Sequence, residues 1–492
     1  MSLKINSLAE NENSMMNLNG LLDRIWSRKD TLVFAVGGSP CIRAVYYKAM
    51  ENEKLNQFSY CSLTKIDYTL GRAEKKIKDK LEQIIKIKKK AKIFIYLSCM
   101  EIITAIDLEK IIEEIEKEEK ETQIFILKRG PMVKRHFSSK DYLEKIMKEF
   151  EEEEKELVES FEEPIFAGEI EIVINSLEYT ENKKCIIQPG GCLSCIKRGR
   201  YELNKNNLYA TSFNDLDLTF GLEKKFINES KEIFSNEENI IFFETLLPQI
   251  VGFNGDLIKE FFNVKEIKSL ILSSNNGEEG FLLLEKAYRF ILETDLDKLK
   301  KSNKTLICGY STLLDFQKEI LWSDIDSREK YITKLDKEKP ENLLVTNLEG
   351  LIFAKVYQEL LKIPYKIFNL TKIPSFLLTL NGSKKIFFIG DPIQILAYKE
   401  ILSKNFHNLD ILVGFYYPNI KLGKTIEEFF AVNNINRYEK IEDFINCIDE
   451  NTILISDKQI YNFLKNEKRK VYDFIEIPYQ WISGNKIFLN EI

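Results

Sequence analysis

The chain has 492 residues, too many for one core, so three or four domains of ordinary size are expected. Its formal charge is −6, with lysines interspersed among glutamates instead of gathered in a basic block, which argues against a nucleic-acid partner. With 44% hydrophobic residues there is ample core, yet no run approaches the roughly 20 apolar residues of a membrane span.

The opening MSLKINSLAENENSMMNLNG lacks the apolar segment of a secretory signal, so a cytoplasmic protein with no membrane partner is expected. Short apolar runs then alternate with amphipathic stretches, the pattern of βα units around parallel sheets. The first module has strands at LVFAV, FSYCSL, AKIFIYLS and TQIFILK, with helices at GRAEKKIKDKLEQIIKI and IITAIDLEKIIEEIEKEEK. From Phe137 to Glu163 a lysine- and glutamate-rich helix with a solvated face is expected. Residues 164–184 link to a second module with strands near CIIQ, LYATSF, IIFFET and IKSLILSS and a long helix from about Glu278 to Lys301. TLICGYSTLLDFQKEIL opens a third unit and KKIFFIGDPIQILAYKEIL a fourth. The fold class is α/β, with several Rossmann-like domains built on parallel sheets. The divisions fall at 1–163, 164–302, 303–382 and 383–492, and no low-complexity linker separates them, so one packed body is expected.

Eight cysteines in a long cytosolic chain are expected as thiols, and two histidines, His136 and His407, leave little scope for histidine-based zinc or general-base chemistry. Cys192 and Cys195 form a CxxC in the turn CIIQPGGCLSCIKRGR, after a strand and before a helical stretch. A helix amino terminus there would favour the thiolate. A single such pair is at least as often two ordinary thiols as a metal site; a zinc ribbon would need a second pair that is not found, and a thioredoxin-like redox pair has similar local geometry but the module has none of that family's other marks. The same order recurs earlier in weaker form: LVFAVGGSPCIRAVYY aligns Cys41 with Cys195, and KIDYTLGRAEKKI aligns with DLDLTFGLEKK. The chain thus carries two related modules in tandem. Cys99 ends the strand IFIYLS at the carboxyl edge of the first sheet, where α/β proteins collect ligands. For Cys41 and Cys99 the ligand and structural readings stand side by side. Cys61, Cys308 and Cys447 read as core or surface residues, and Cys185 is a weak further candidate. Asp391 is expected to cap a helix begun by Pro392, and Phe415, Tyr416 and Tyr417 to serve the core.

Taken together, the glycine-rich cysteine turn, DLTFGLEKK and FFETLLPQIVGFNGDLI resemble the component 1 family of nitrogenase and nitrogenase-like oxidoreductases. TLICGYS, NLLVTNLEGLIFAKVYQELLKIPY and KKIFFIGDP are similar to the openings of that family's later Rossmann-like domains. The resemblance covers roughly Cys185 to Ile492, with a partial copy of the first domain in front. It implies an iron–sulfur cluster, [4Fe–4S] or larger, on cysteines of the first domain, often between two subunits. It further implies electrons from an ATP-hydrolysing iron protein, an oligomer with a component 1-like subunit, and a small organic substrate in a cleft among the Rossmann-like units. Carried over by motif, the ligands are Cys41 and Cys99 in the first module and Cys192 or Cys195 in the second. The position matching Cys99 falls on Leu246, which cannot bind iron, so neither module alone holds a full set and a composite site is the expectation. Cys308 and His407 do not fit the anchors of a large catalytic cofactor, and reduction of dinitrogen is not expected. A cluster carrier and a cluster-less, partner-binding subunit remain the alternatives.

Overall fold

The computed structural model describes residues 4–7, 17–119, 121–128, 139–148, 150, 154–177, 180, 182–189, 207–213, 216–217, 221–274, 279–301, 305–309, 338–370, 373, 377, 380, 385–406, 409–466 and 473–482. The class is α/β with several parallel sheets. In the first module β2 (Thr31–Gly37), β3 (Phe58–Ser62), β4 (Lys92–Leu97) and β5 (Gln123–Lys128) form a wholly parallel sheet in the order β3-β2-β4-β5. Strand alternation splits β2 between two cores. Leu32, Phe34 and Val36 pack with Ile77 and Leu81 on one face, while Val33 and Ala35 pack with Trp26 and Val45 on the other.

The second module repeats that order. Its strands β6 (Lys183–Ile187), β7 (Leu208–Ser212), β8 (Asn239–Glu244) and β9 (Lys268–Ser273) lie as β7-β6-β8-β9, so in both modules the second strand sits outside the first and the third and fourth follow on the other side. One strand from the start of the chain, β1 (Lys4–Ser7), adds antiparallel to β7 and so lies in the sheet of the second module. The connections match too: β4 leads through the helices Cys99–Ile103 and Leu108–Glu118 to β5, and β8 through Leu246–Ile250 and Gly255–Val264 to β9. Helix formation over 102–120 is interrupted because Asp107 caps a new helix by accepting from Lys110 N, and Ala105 takes a positive φ of 52°.

The third unit is a small parallel sheet of β11 (Thr305–Cys308), β13 (Asn342–Val345) and β14 (Tyr365–Ile367). The fourth is a five-stranded parallel sheet, β17-β16-β15-β18-β19, built from β15 (Lys385–Ile389), β16 (Ile411–Tyr416), β17 (Asn436–Tyr438), β18 (Thr452–Ser456) and β19 (Asp473–Glu476), its first strand in the centre as in doubly wound folds. The short strands β10 (Lys300–Lys301) and β12 (Glu338–Lys339) pair in parallel as a separate two-stranded sheet. A single apolar core runs from Phe166 and the helix Glu169–Ser176 through β6, β8, β11, β13 and β15 to Trp481. The long helix is shorter than the sequence suggests, Gly280–Asp295, because a 3-10 turn and then β10 take over its last residues.

Helix is found over Ser139–Lys148, but residues 154–168 form an irregular strap instead of continuing it. Consecutive glutamates repel at helical spacing, and the strap has better partners elsewhere. Lys88 donates to Val158 O and Ser160 O, Lys80 pairs with Glu162 at 2.8 Å, and Tyr60 donates to Glu163 O at 3.2 Å. The strap then enters the meeting point of the later units. There Phe166 packs on Tyr416, Tyr417 and Tyr479, while Trp481 packs on Phe281, Phe415 and Tyr417. Ala167 N donates to Trp481 O at 2.8 Å. This aromatic cluster packs the described residues where the strap meets the later units.

Candidate functional site

The two modules face each other with the carboxyl ends of their strands, and a cavity of about 140 Å³ lies between them. Its walls are the βα turns at the point where each sheet's strand order reverses, the usual ligand position in such sheets. From the first module come Gly38–Cys41 after β2, Ser62–Lys65 after β3 and Ser98–Met100 after β4. The second contributes Gln188 and Pro189 after β6, Thr245–Leu247 after β8 and Ser274 after β9, and the helix Glu169–Ser176 closes the remaining side. The lining is mostly apolar, and the volume is near that of an engineered cavity that takes benzene, about 150 Å³.

Local sequence explains how the two thiols reach this cavity. Gly37 has a φ of +146°, and a Cβ there would stand 2.8 Å from Ser98 Oγ, so glycine lets the first turn close against the third. Pro40 then sets the first turn of the helix Ser39–Glu51, with Cys41 following it. Ser98 caps the helix Cys99–Ile103, and Glu101 reaches back to Ser98 N at 2.7 Å, completing a capping box. Cys41 and Cys99 both line the cavity, Cys41 half-buried and Cys99 8% exposed. Leu246 lines it from the other side, at the first position of the helix Leu246–Ile250, as Cys99 is in its own.

Beneath the cavity lies a buried charge pair that sequence reading did not single out. Arg43, two residues beyond Cys41, is fully buried and stands 2.7 Å from Glu171 Oε2; it also donates to Ile165 O and Tyr47 Oη, and Tyr47 donates to Glu171 Oε1 at 3.1 Å. Burial works against the guanidinium's charge, but the Glu171 carboxylate outweighs it and holds Arg43 protonated above its ordinary range. Glu169 accepts from Ser274 Oγ at 2.8 Å and Glu279 N at 2.7 Å, tying the same helix to the second module. The available signal was the apolar run EIEIVINS carrying two carboxylates: all eight residues of this helix are buried, and buried carboxylates need partners. On the opposite module, burial pushes the Glu244 carboxyl up, while Ser273 and the Lys65 charge pull it back. Gln188 is 1% exposed, and its Nε2 has no hydrogen-bond partner among the described residues.

The other cysteines are elsewhere. Cys61 lies inside β3, where burial pushes its thiol up to about 12. Cys185 and Cys308 are fully buried within β6 and β11, and burial raises both thiols; Cys185 points into the core of the second sheet with Phe242 and does not line the cavity. Cys447 meets Tyr438 Oη at 3.5 Å. Cys192, Cys195, His136 and His407 lie outside the described residues, as do the residues following TLICG. Among the described residues no group of three or more His, Cys, Asp or Glu is arranged to hold a metal ion, the six cysteines are in no disulfide, and no helix is long and apolar enough to cross a membrane. Asp391 caps its helix as expected, accepting from Ile393 N and Gln394 N, and also receives Leu348 N from the third unit. Phe415, Tyr416 and Tyr417 are core residues.

No protein-family model matches the chain, and no curated protein matches it. Among solved structures, 59 chains match. A chain of nitrogenase Cp1 at pH 6.5 shares 15% identity at a TM-score of 0.41, covering 67% of this chain and 89% of its own. Nitrogenase Cp1 at pH 5 shares 12% at 0.42, covering 65% and 84%. At that level the likeness bears on no individual residue of the cavity.

Proposed function

We propose that the chain is a nitrogenase component 1-like subunit, an iron–sulfur oxidoreductase component that takes electrons from an ATP-dependent iron protein and delivers them to a small organic substrate. One observation carries the reading: thiols from two separate turns of the first module, Cys41 and Cys99, open on one cavity whose far wall is made of the matching turns of the second. Cys41 and Cys99 would hold the group from one side. Cys192 and Cys195 follow Pro189 of the cavity wall by three and six residues in the chain, and are assigned to the same group. The donor set fits an iron–sulfur cluster in kind, since soft thiolates converge in a largely apolar lining, and in number only with that second pair.

When bound, a [4Fe–4S] cluster supplies storage of one electron at a potential set by its surroundings. The chain's own residues do the rest. The apolar lining limits water at the site, the Arg43–Glu171 pair fixes the helix that closes the cavity to the helix that bears Cys41, and Lys65 and Gln188 are among the donors in the lining. Because both walls belong to one chain, a component 1-like partner subunit would add contacts outside this cavity.

The test is iron and acid-labile sulfide per chain on protein purified without oxygen. About four irons, bleached by dithionite, support the reading. Cys41→Ala and Cys99→Ala should each lose most of the iron while the circular-dichroism spectrum stays that of the parent; unchanged iron in both variants would overturn the assignment. A second reading is a carrier that holds a cluster for another protein. It predicts bound iron that moves to an apo-acceptor, with no reductase-dependent turnover.

A further inference from the structure

The strap at 154–168 ties the first module to the fourth unit, and its fastenings differ along its length. Lys88 holds one end by donating to Val158 O and Ser160 O, and Ser160 N donates to Asn56 Oδ1 at 2.9 Å. Arg43 holds the other by donating to Ile165 O, with Phe166 packed on Tyr416, Tyr417 and Tyr479. Between these anchors Glu163 is half-buried at the joint itself: Tyr60 of β3 donates to its carbonyl at 3.2 Å, and Tyr416 of β16 donates to its carboxyl. The charges around that carboxyl do not balance. Glu162 of the strap and Glu442 of the helix Ile441–Ile445 add negative charge, and among the described residues Lys80 of the helix Ala73–Ile87 is the cation that acts on it. Lys80 is already paired with Glu162 at 2.8 Å, and Glu162 also accepts from Ser59 Oγ. The hydroxyls of Tyr60 and Tyr416 supply hydrogen bonds and no positive charge. An ionised Glu163 is therefore a third carboxylate beside one ammonium in a partly dry joint; burial, then Glu442 and Glu162, push its carboxyl up to about 7.

We propose that Glu163 is a pH-operated clasp: protonated, it stays inserted between β3 and β16 and fastens the first module to the fourth unit; ionised, it turns out to solvent, and residues 161–163 lift off while the anchors at Lys88 and Arg43 hold. Gly168 and Glu169 of the cavity wall follow within six residues, so the clasp stands next to the site. The device needs no bound group and does not depend on the iron–sulfur reading. Opening releases a proton wherever the carboxyl is protonated in the closed form and ionised in the open one, that is between the ordinary glutamate range near 4.3 and about 7.

Hydrogen exchange of the full chain, read by mass spectrometry on a peptide spanning 159–166 and corrected for the intrinsic rate, tests this between about pH 5 and pH 8. Protection of that peptide should fall by about tenfold per pH unit up to about pH 7, the slope of one released proton, and then level off, while peptides from β15 and β18 keep theirs. Glu163→Gln should remove the pH dependence. Glu442→Gln, which takes away a like charge, should bring the levelling to a lower pH. Flat protection in the parent overturns the inference, as does an unchanged fall in Glu163→Gln or a fall shared by β15 and β18, which would mark general loosening in place of a clasp. Glu442 is exposed, so its variant decides the matter if Glu163→Gln does not fold, and levelling at the parent's pH overturns the inference.

Discussion

Arg43 can keep its charge in the interior only because Glu171 and two further acceptors surround it, since a guanidinium does not neutralise itself by losing a proton. That constraint links residue chemistry to the site: the pair joins the helix bearing Cys41 to the helix Glu169–Ser176 that closes the cavity. Glu163 behaves differently. Burial pushes its carboxyl up to about 7, helped by the nearby charges of Glu442 and Glu162. With the folded value above the unfolded one, the folded state binds the extra proton, so the contribution to stability is complete below the ordinary glutamate range and is lost as pH rises to about 7. Glu163→Gln should therefore flatten the decline in thermal midpoint between pH 5 and pH 8 and melt higher than the parent at pH 8. A parent and variant with parallel pH profiles would contradict this.

At the scale of elements, the repeat is carried by strand order and by the paired short helices, each begun at a serine or threonine cap. Close approach of elements is set by small residues. Gly350 lies in the helix Leu348–Leu361, where an added Cβ would stand 2.1 Å from Cys308 O, so the helix rests directly on the backbone of β11. Because the obstructing atom is backbone, no side-chain rotation relieves it, and Gly350→Ala is expected to cost about 1–3 kcal/mol or more. The check is the urea midpoint, and a midpoint within error of the parent would refute the close contact. The strap at 154–168 shows the converse: its sequence favours a charged helix, but Lys80, Lys88 and Tyr60 of the first module bind it in an irregular conformation.

For the whole molecule, the first module has cores on the two faces of its sheet, whereas one face of the second module shares a continuous core with the third and fourth units and its other face has a separate core that takes in Met100 of the first module. Shared burial implies shared unfolding. The amides of β6, β13 and β15 should lose protection together in hydrogen exchange under mild denaturant, while those of β2 and β4 form a separate group. Independent exchange of β6 and β15 would show that the common core does not couple them.

The amino-acid sequence by itself determined the parallel α/β class, the four parallel strands of each of the first two modules, the repeated motif order and the cap at Asp391, because these depend on periodicity, turn chemistry and local order along the chain, whereas the short or edge strands β1, β10, β12, β14 and β17 were not legible. It also marked Cys41 and Cys99 as sheet-edge thiols, since each follows a strand through a Gly- or Ser-bearing turn. Only the tertiary structure decided that the two repeats face one another, that Leu246 and Gln188 stand on the wall across from those thiols, and that Arg43 meets Glu171. It also decided that Phe166, Phe281 and Trp481 pack together with Tyr417. These features join residues more than a hundred positions apart, and the physical reason they escape a reading of the chain is that burial, shape and charge pairing between distant segments leave no periodic trace in either segment alone.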